Sequence, residues 1–302
     1  MPMASRWNYS RLDSTRRGPA LDVINPRDPC GSATRHGEQE ILDTDRARVL
    51  LPISRGEHVT PASDPLESGD RVNSLALETL LANLQLADSF FPSGSYTLSH
   101  GLESYAEAGL LDADSLAAIV SDLIRFSVGP GDGAALAIAS NAARRRDLDQ
   151  IAAADVRLTA VKLAREPRQA SMRLGRQMLA IARDVFADEV SGAYLARVRA
   201  EDLPGNQAVA AGLLKAALSI PVREAVASEL QTFATSCAGA ALRMARIDHR
   251  QAQRVIRNLA PVVIVATDDA ITRSVAEIGG SAPFAELMAM RHETAEIRLF
   301  VT

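Results

Sequence analysis

Rings are scarce in this chain. Phe, Trp and Tyr together make up 4% of it, while alanine, leucine and arginine recur throughout. That balance favours packed helices over sheets. Cysteine is scarcer still. Cys30 and Cys237 are the two present, and neither belongs to a CxxC pair. A disulfide framework and a four-cysteine zinc site are both excluded, and Cys237, on an apolar helical stripe, reads as a small buried hydrophobe. No apolar run approaches the ~18 residues that span a bilayer. The N-terminus lacks the apolar core of a secretory signal, so a soluble cytoplasmic protein is expected. Positive charge is not in excess: the formal net charge is −4, which gives nucleic-acid binding no electrostatic support. The length of 302 residues accommodates one large or two ordinary domains.

The chain divides into two stretches. Residues 1–72 mix Arg, Asp, Pro, Gly and Ser with little apolar periodicity. Such a segment cannot bury enough surface to offset its ordering entropy and reads as a disordered arm. Its arginines suit a transit peptide, but Asp13, Asp22 and Asp28 do not. A start of translation inside the arm is a further expectation. It would use a non-methionine codon such as that of Val72, because no methionine lies between Met3 and Met172. The intact mass of the native protein decides it.

From Leu75 onward the period is helical, and residues 73–302 read as one all-α domain of about eight to ten helices with an extended C-terminal tail. Asp112 or Asp114 caps a helix with Leu116, Ile119, Val120 and Leu123 on one face. Gly129-Pro130-Gly131 stops it. Residues 134–146 and 148–165 form two more helices, and Pro167 opens the next, with Met172, Gly175, Leu179, Ala182 and Phe186 inward. Asn206 caps a short helix that ends before Pro221. Val222, Val226, Leu230, Phe233, Cys237 and Ala241 mark a long amphipathic helix. Asp248 caps another, with Ala252, Val255, Ile256 and Leu259 inward, which Pro261 breaks or kinks. Residues 261–265 also suit a strand, but nothing else in the chain pairs with one, so helix is preferred.

The most informative window is 86–111, LADSFFPSGSYTLSHGLESYAEAGLL. An apolar helix end runs into Phe90-Phe91-Pro92, then a Ser-Gly-Ser turn, then a helix that stops at Gly109. Pro92 fixes its own φ and restricts Phe91. Gly94 admits positive φ, and Ser95 or Thr97 can cap the second helix. The paired phenylalanines suggest a wedge, buried in this chain or in a partner.

Sites for chemistry are thin. Gly129-Pro130-Gly131-Asp132-Gly133 lacks the lysine and hydroxyl of a phosphate loop, and no strand leads into it; it reads as a linker. Ser93, Ser95 and His100 lack the strand-turn-helix of a nucleophile elbow. No two of His36, His58, His100, His249 and His292 stand at i, i+3 or i, i+4, so no preformed two-histidine helical metal site exists. His100 and Glu103 share a face at i, i+3. Gly175 inside a helix costs ~1 kcal/mol against Ala, tolerable where another backbone packs close or where a partner sits above it. Arg173, Arg176 and Arg183 fall on the other face, which reads as solvated or else as a place for acidic partners. No cofactor is implied, and on residues alone the chain reads as a non-enzymatic interaction protein.

Several short pieces, taken in order, resemble the urease accessory protein UreF family. They are Pro92, Gly94, Tyr96 and Gly101-Leu102-Glu103; Ala170-Ser171 with Leu174-Gly175-Arg176; Ala240-Ala241-Leu242-Arg243-Met244; Arg291-His292-Glu293; and Arg298-Leu299-Phe300. The resemblance spans residues 74–300 and leaves the arm out. It implies a helical scaffold in urease maturation, dimeric, which with the accessory protein UreD (UreH in some systems) and the GTPase UreG promotes nickel insertion into apo-urease. It also implies partner-binding roles for Phe91, Pro92, Gly94, Tyr96, His100, Gly101, Leu102, Glu103, Gly175, Arg243, Arg298, Leu299 and Phe300. The tail is expected against UreD or against the fold's own body, and the Pro92 turn near UreG. The family usually closes on Arg-Ser where this chain has Val301-Thr302, which implies weaker docking if that arginine is the anchor. The rival readings are a direct nickel metallochaperone and a helical hydrolase built around Ser95, His100 and Glu103.

Overall fold

The computed structural model describes residues 66–300, apart from 89, 93–97 and 296–297. All of them lie in one compact unit, 61–302. Eleven α-helices are present among the described residues, with no strand: α1 (Leu66–Ala87), α2 (Leu102–Glu107), α3 (Ala113–Leu123), α4 (Ala134–Arg144), α5 (Leu148–Val161), α6 (Arg165–Phe186), α7 (Glu189–Ala200), α8 (Gln207–Ala217), α9 (Val222–Arg243), α10 (His249–Ala270) and α11 (Pro283–His292). Helix α1 opens at Leu66, inside the stretch expected to be an arm. The remainder of that arm lies outside the described residues, as do Ser93, Gly94, Ser95, Tyr96, Thr97, Val301 and Thr302.

Helices α4 and α8 form the centre. Nearly every residue of α4 is buried, and so is α8 from Ala208 to Lys215. Both are dominated by alanine, and a helix apolar all round is a core helix. Helices α5, α6, α7 and α9 pack against this pair, and α10 packs on α9 and α3. Helix α9 buries Val226, Leu230, Cys237 and Ala241 as its period predicts, with Phe233 half-buried. Burial pushes the Cys237 thiol pKa upward, as befits an inert apolar side chain. Asp112 and Asp248 cap α3 and α10 through reciprocal capping boxes with Ser115 and Gln251.

Two predicted breaks are absent. Gly129-Pro130-Gly131 does not stop a helix; residues Ile124–Gly133 continue α3 into α4 as a π-helical segment. A π turn bonds five residues back, as Ala134 N–H does to the Gly129 carbonyl. The wider turn accommodates a residue without an N–H. The Pro130 carbonyl accepts instead from Gly279 N–H at 3.0 Å. Pro261 sits within an uninterrupted α10. It lies on the exposed side, where water can satisfy the carbonyl that a helical proline strands. Helix α5 ends at Val161 rather than running to Arg165, which starts α6. The inward stripe of α6 is led by Ala170, Leu174, Gly175, Met178, Leu179 and Ala182, with Met172 and Phe186 only half-buried.

Candidate functional site

Pieces far apart in sequence meet at one pole of the bundle. The chain enters α2 through His100 (φ 55°) and Gly101 (φ 81°). Two consecutive left-handed residues reverse it sharply, and Gly101 takes this conformation without strain. A Cβ on Gly101 would stand 3.5 Å from the Ala289 backbone, so α2 lies close on α11. Glu103 is thereby aimed at the end of α11 and is 5% exposed.

Glu103 holds the C-terminal tail. Its Oε1 accepts the Leu299 N–H at 2.7 Å and its Oε2 accepts the Phe300 N–H at 3.2 Å. His292, 1% exposed, sets Nε2 2.9 Å from Glu103 Oε2 and Nδ1 2.8 Å from Glu166 Oε2. Carboxylates only accept. Both ring nitrogens donate together when His292 is an imidazolium; otherwise one glutamate carries a proton. Glu166 also pairs with the Arg298 guanidinium, which donates to the Glu293 carbonyl at 2.6 Å. Phe300 is buried under the Arg243 guanidinium, 4.7 Å from its ring centre, a cation–π contact. The Glu293 carboxylate accepts the first two N–H groups of α6, those of Arg165 and Glu166, at 2.6 and 3.1 Å. Ala164 at the N-cap has no side chain to do this, so α11 supplies the anion that the helix end requires.

Residues three apart thus take different tasks. Glu103 turns to the tail, while His100 turns to α9, where Nε2 lies 3.0 Å from the Ser236 hydroxyl and the ring meets Phe233 edge-on. The shared helical face expected of His100 and Glu103 does not form, because His100 precedes α2 in a left-handed conformation. Desolvation, reinforced by the Lys162 and Arg243 charges, lowers the His100 pKa to about 4, so the ring is neutral near pH 7. It lines a cavity of about 210 Å³, where Lys162 pairs with Asp132 at 2.8 Å and Glu229 with Lys215 at 3.0 Å, and Glu286 adds a further carboxylate.

The other named residues separate from the pole. Phe91 is in the core, Phe90 is 93% exposed, and the Pro92 carbonyl accepts from Gln177 at 2.6 Å. Gly175 lies under the chain between α7 and α8, where a Cβ would stand 2.1 Å from the Gly205 carbonyl oxygen. That chain is held by Asp155, a residue that the sequence did not single out. The fully buried Asp155 carboxylate accepts Gly205 N–H (2.6 Å), Asn206 N–H (2.9 Å), Asn206 Nδ2 (2.7 Å) and Tyr194 O–H (2.6 Å). Burial, then the Asp155 charge, pushes the Tyr194 pKa up. Asn206 stands at the N-cap of α8, yet its side chain does not cap; Asp155 and Thr159 take its amide. The available signal was that Asp155 falls on the apolar stripe Ile151, Ala152, Leu158. Glu166, by contrast, gives no such signal, since a glutamate in a first helical turn ordinarily serves the helix dipole.

Among the described residues, no three His, Cys, Asp or Glu side chains gather as a metal-holding group, and no helix is long and apolar enough to cross a membrane. A family model described as UreF matches residues 110–260. A urease accessory protein UreF of Paenarthrobacter aurescens is 33% identical over 227 residues, covering 74% of this chain and 97% of the relative. Urease accessory protein UreF 2 of Brucella canis is 28% identical over 227 residues, covering 75% and 93%. The UreF of Trichodesmium erythraeum is 28% identical over 225 residues, covering 73% and 95%.

Proposed function

The chain belongs to the UreF family of urease accessory proteins, and from that membership we propose that it is a non-catalytic scaffold in urease maturation. In this reading it assembles with UreD, the GTPase UreG and apo-urease in the cytoplasm and promotes nickel insertion. The observation that carries it is the docked tail. Glu103, His292 and Phe300, up to 197 residues apart, form one buried interlock with Arg298 at its rim. It fixes backbone at the surface and leaves Leu299 74% exposed. A pre-organised, partly apolar projection is what a docking element requires. We assign this pole to UreD, and the Pro92 turn with exposed Phe90 to UreG.

Homodimerisation belongs to the same reading. Leu77, Leu80, Leu81 and Leu84 stand at i, i+3, i+4 and i+7 of α1, each more than half exposed. An unpartnered leucine stripe suits a second helix. The rival readings lean on His292 and His100. His292 already spends both ring nitrogens on carboxylates, and a ring of pKa about 4 at His100 is a weak general base near neutral pH.

The test is affinity co-purification of the full chain with its host's UreD, UreG and apo-urease homologues, with and without GTP and nickel. A stable complex is expected. Deletion of residues 298–302 should abolish recovery of UreD with helicity kept; unchanged recovery removes the tail's docking role.

A further inference from the structure

Helix α10 has an exposed face with a divided character. At 100° per residue, Arg250, Arg254, Arg257, Pro261, Ile264 and Val265 fall within about 60° of one line along the helix. All six are exposed, with Ile264 at 53% and Val265 at 66%. The first half of the face is cationic, the stretch from Pro261 to Val265 is apolar, and Asp268, on the same line and paired with Arg223, closes it. Arg246, just before the helix, is exposed too.

Three observations set this face apart from an ordinary solvated one. None of Arg246, Arg250, Arg254 and Arg257 makes an ion pair or side-chain hydrogen bond among the described residues, whereas Arg183, Arg197, Arg223 and Arg273 all find carboxylates. The arginines occupy the N-terminal half of α10, where the helix dipole disfavours cations, and the N-cap carboxylate, Asp248, is spent on the Gln251 N–H. The apolar half continues the same line, so a single elongated object can cover both. Among the described residues no carboxylate pairs with these four arginines, which leaves them open to the acids of a partner.

We propose that this face docks an acidic, amphipathic segment of a partner protein, its carboxylates over Arg250, Arg254 and Arg257 and its apolar end over Pro261, Ile264 and Val265. The apolar half and the negative chain favour protein over nucleic acid. The inference rests on the scaffold reading above, because the partner is whichever urease-assembly protein presents such a surface. It adds a second contact away from the tail.

The experiment measures binding of the full chain to the purified UreD, UreG and apo-urease homologues one at a time, at low and high salt. Wild type, R250E/R254E/R257E and I264S/V265S are compared. These side chains are exposed, so folding should be preserved within about 0.5 kcal/mol; thermal melts check it. Support is a loss of at least tenfold in affinity for one partner in both α10 variants, with weakened salt dependence in the charge variant. Wild-type binding that both α10 variants match overturns the docking face and leaves the scaffold reading intact. Absence of wild-type binding to all three overturns both. Loss confined to a 20-base-pair duplex probe would assign the arginines to nucleic acid and overturn the proposal.

Discussion

Asp155 and Glu103 are the two buried carboxylates among the described residues, and each collects two consecutive backbone N–H groups from a distant irregular segment. Asp155 takes those of Gly205 and Asn206; Glu103 takes those of Leu299 and Phe300. The geometry is the same and the company differs. Asp155 is completed by neutral donors, Tyr194 and the Asn206 amide, in the deep interior. It holds a connection anchored on both sides by helices α7 and α8. Glu103 is completed by an imidazole shared with a second glutamate, and through that glutamate by an arginine at the rim. It holds the end of the chain. A carboxylate is an efficient staple for loose backbone because each oxygen accepts more than one bond. Its neighbours decide whether the staple is permanent or can open.

The largest effect expected is at the deep staple. Asp155→Ala strands two backbone donors, a phenol and an amide away from water, and should cost about 3–5 kcal/mol, read as a lowered urea midpoint. Asp155→Asn keeps one acceptor and should lose less. Gly175→Ala attacks the same staple from behind. On an open helix this change stabilises by about 1 kcal/mol. Here the new methyl meets the Gly205 carbonyl at 2.1 Å and must push away the segment that Asp155 holds. We expect destabilisation of about 1–3 kcal/mol; a stabilised Gly175→Ala protein would show that the two backbones are not in contact.

At the pole the same chemistry should yield a local effect. Glu103→Gln retains one acceptor oxygen and should cost about 1–2 kcal/mol. Hydrogen exchange should quicken at the Leu299 and Phe300 amides while the α4 and α8 amides keep their protection. If the whole bundle loosens equally, the contrast between the staples is wrong.

This difference in connectivity also explains how much of the fold is legible in the chain. The stripes of α3, α9 and α10 and the Asp112 and Asp248 caps are local patterns, and each is visible within a few residues. Gly129-Pro130-Gly131 and Pro261 mislead because a proline's effect depends on its surroundings: a π register and the Gly279 N–H in one case, solvent in the other. Asn206 looks like a cap, and only the fold shows Asp155 drawing its amide away. Glu103, His292 and the tail can be marked one by one through resemblance. Their meeting cannot, since 189 residues separate Glu103 from His292.

The pole also has a titrating neighbour. His100 falls from its usual 6.5 to about 4 in the folded chain. The unfolded chain therefore takes up a proton as pH drops through 6.5, and the folded chain resists until about 4. This contribution is complete above pH 6.5, is lost between 6.5 and 4, and is level below. The ring is half-buried, so the loss should be about 1–2 kcal/mol, less than the whole shift would transmit in full burial. In His100→Gln that part of the acid slope should vanish; an unchanged slope assigns it elsewhere.

The smallest effect on stability, and the sharpest on function, should come from Leu299. Its backbone N–H is held by Glu103, but its side chain is in solvent. Leu299→Ser removes apolar surface without disturbing the interlock, so the melting temperature should stay within the range of a surface substitution, about 0.5 kcal/mol. Phe300→Ser instead empties the contact beneath Arg243 and should release the tail. If the pole is a docking element, both changes weaken recovery of UreD, and only the second quickens exchange at the tail amides. If UreD recovery follows tail order alone, with Leu299→Ser binding as wild type does, the interlock presents something other than Leu299. The exposed edge of Arg298 is then the next side chain to replace.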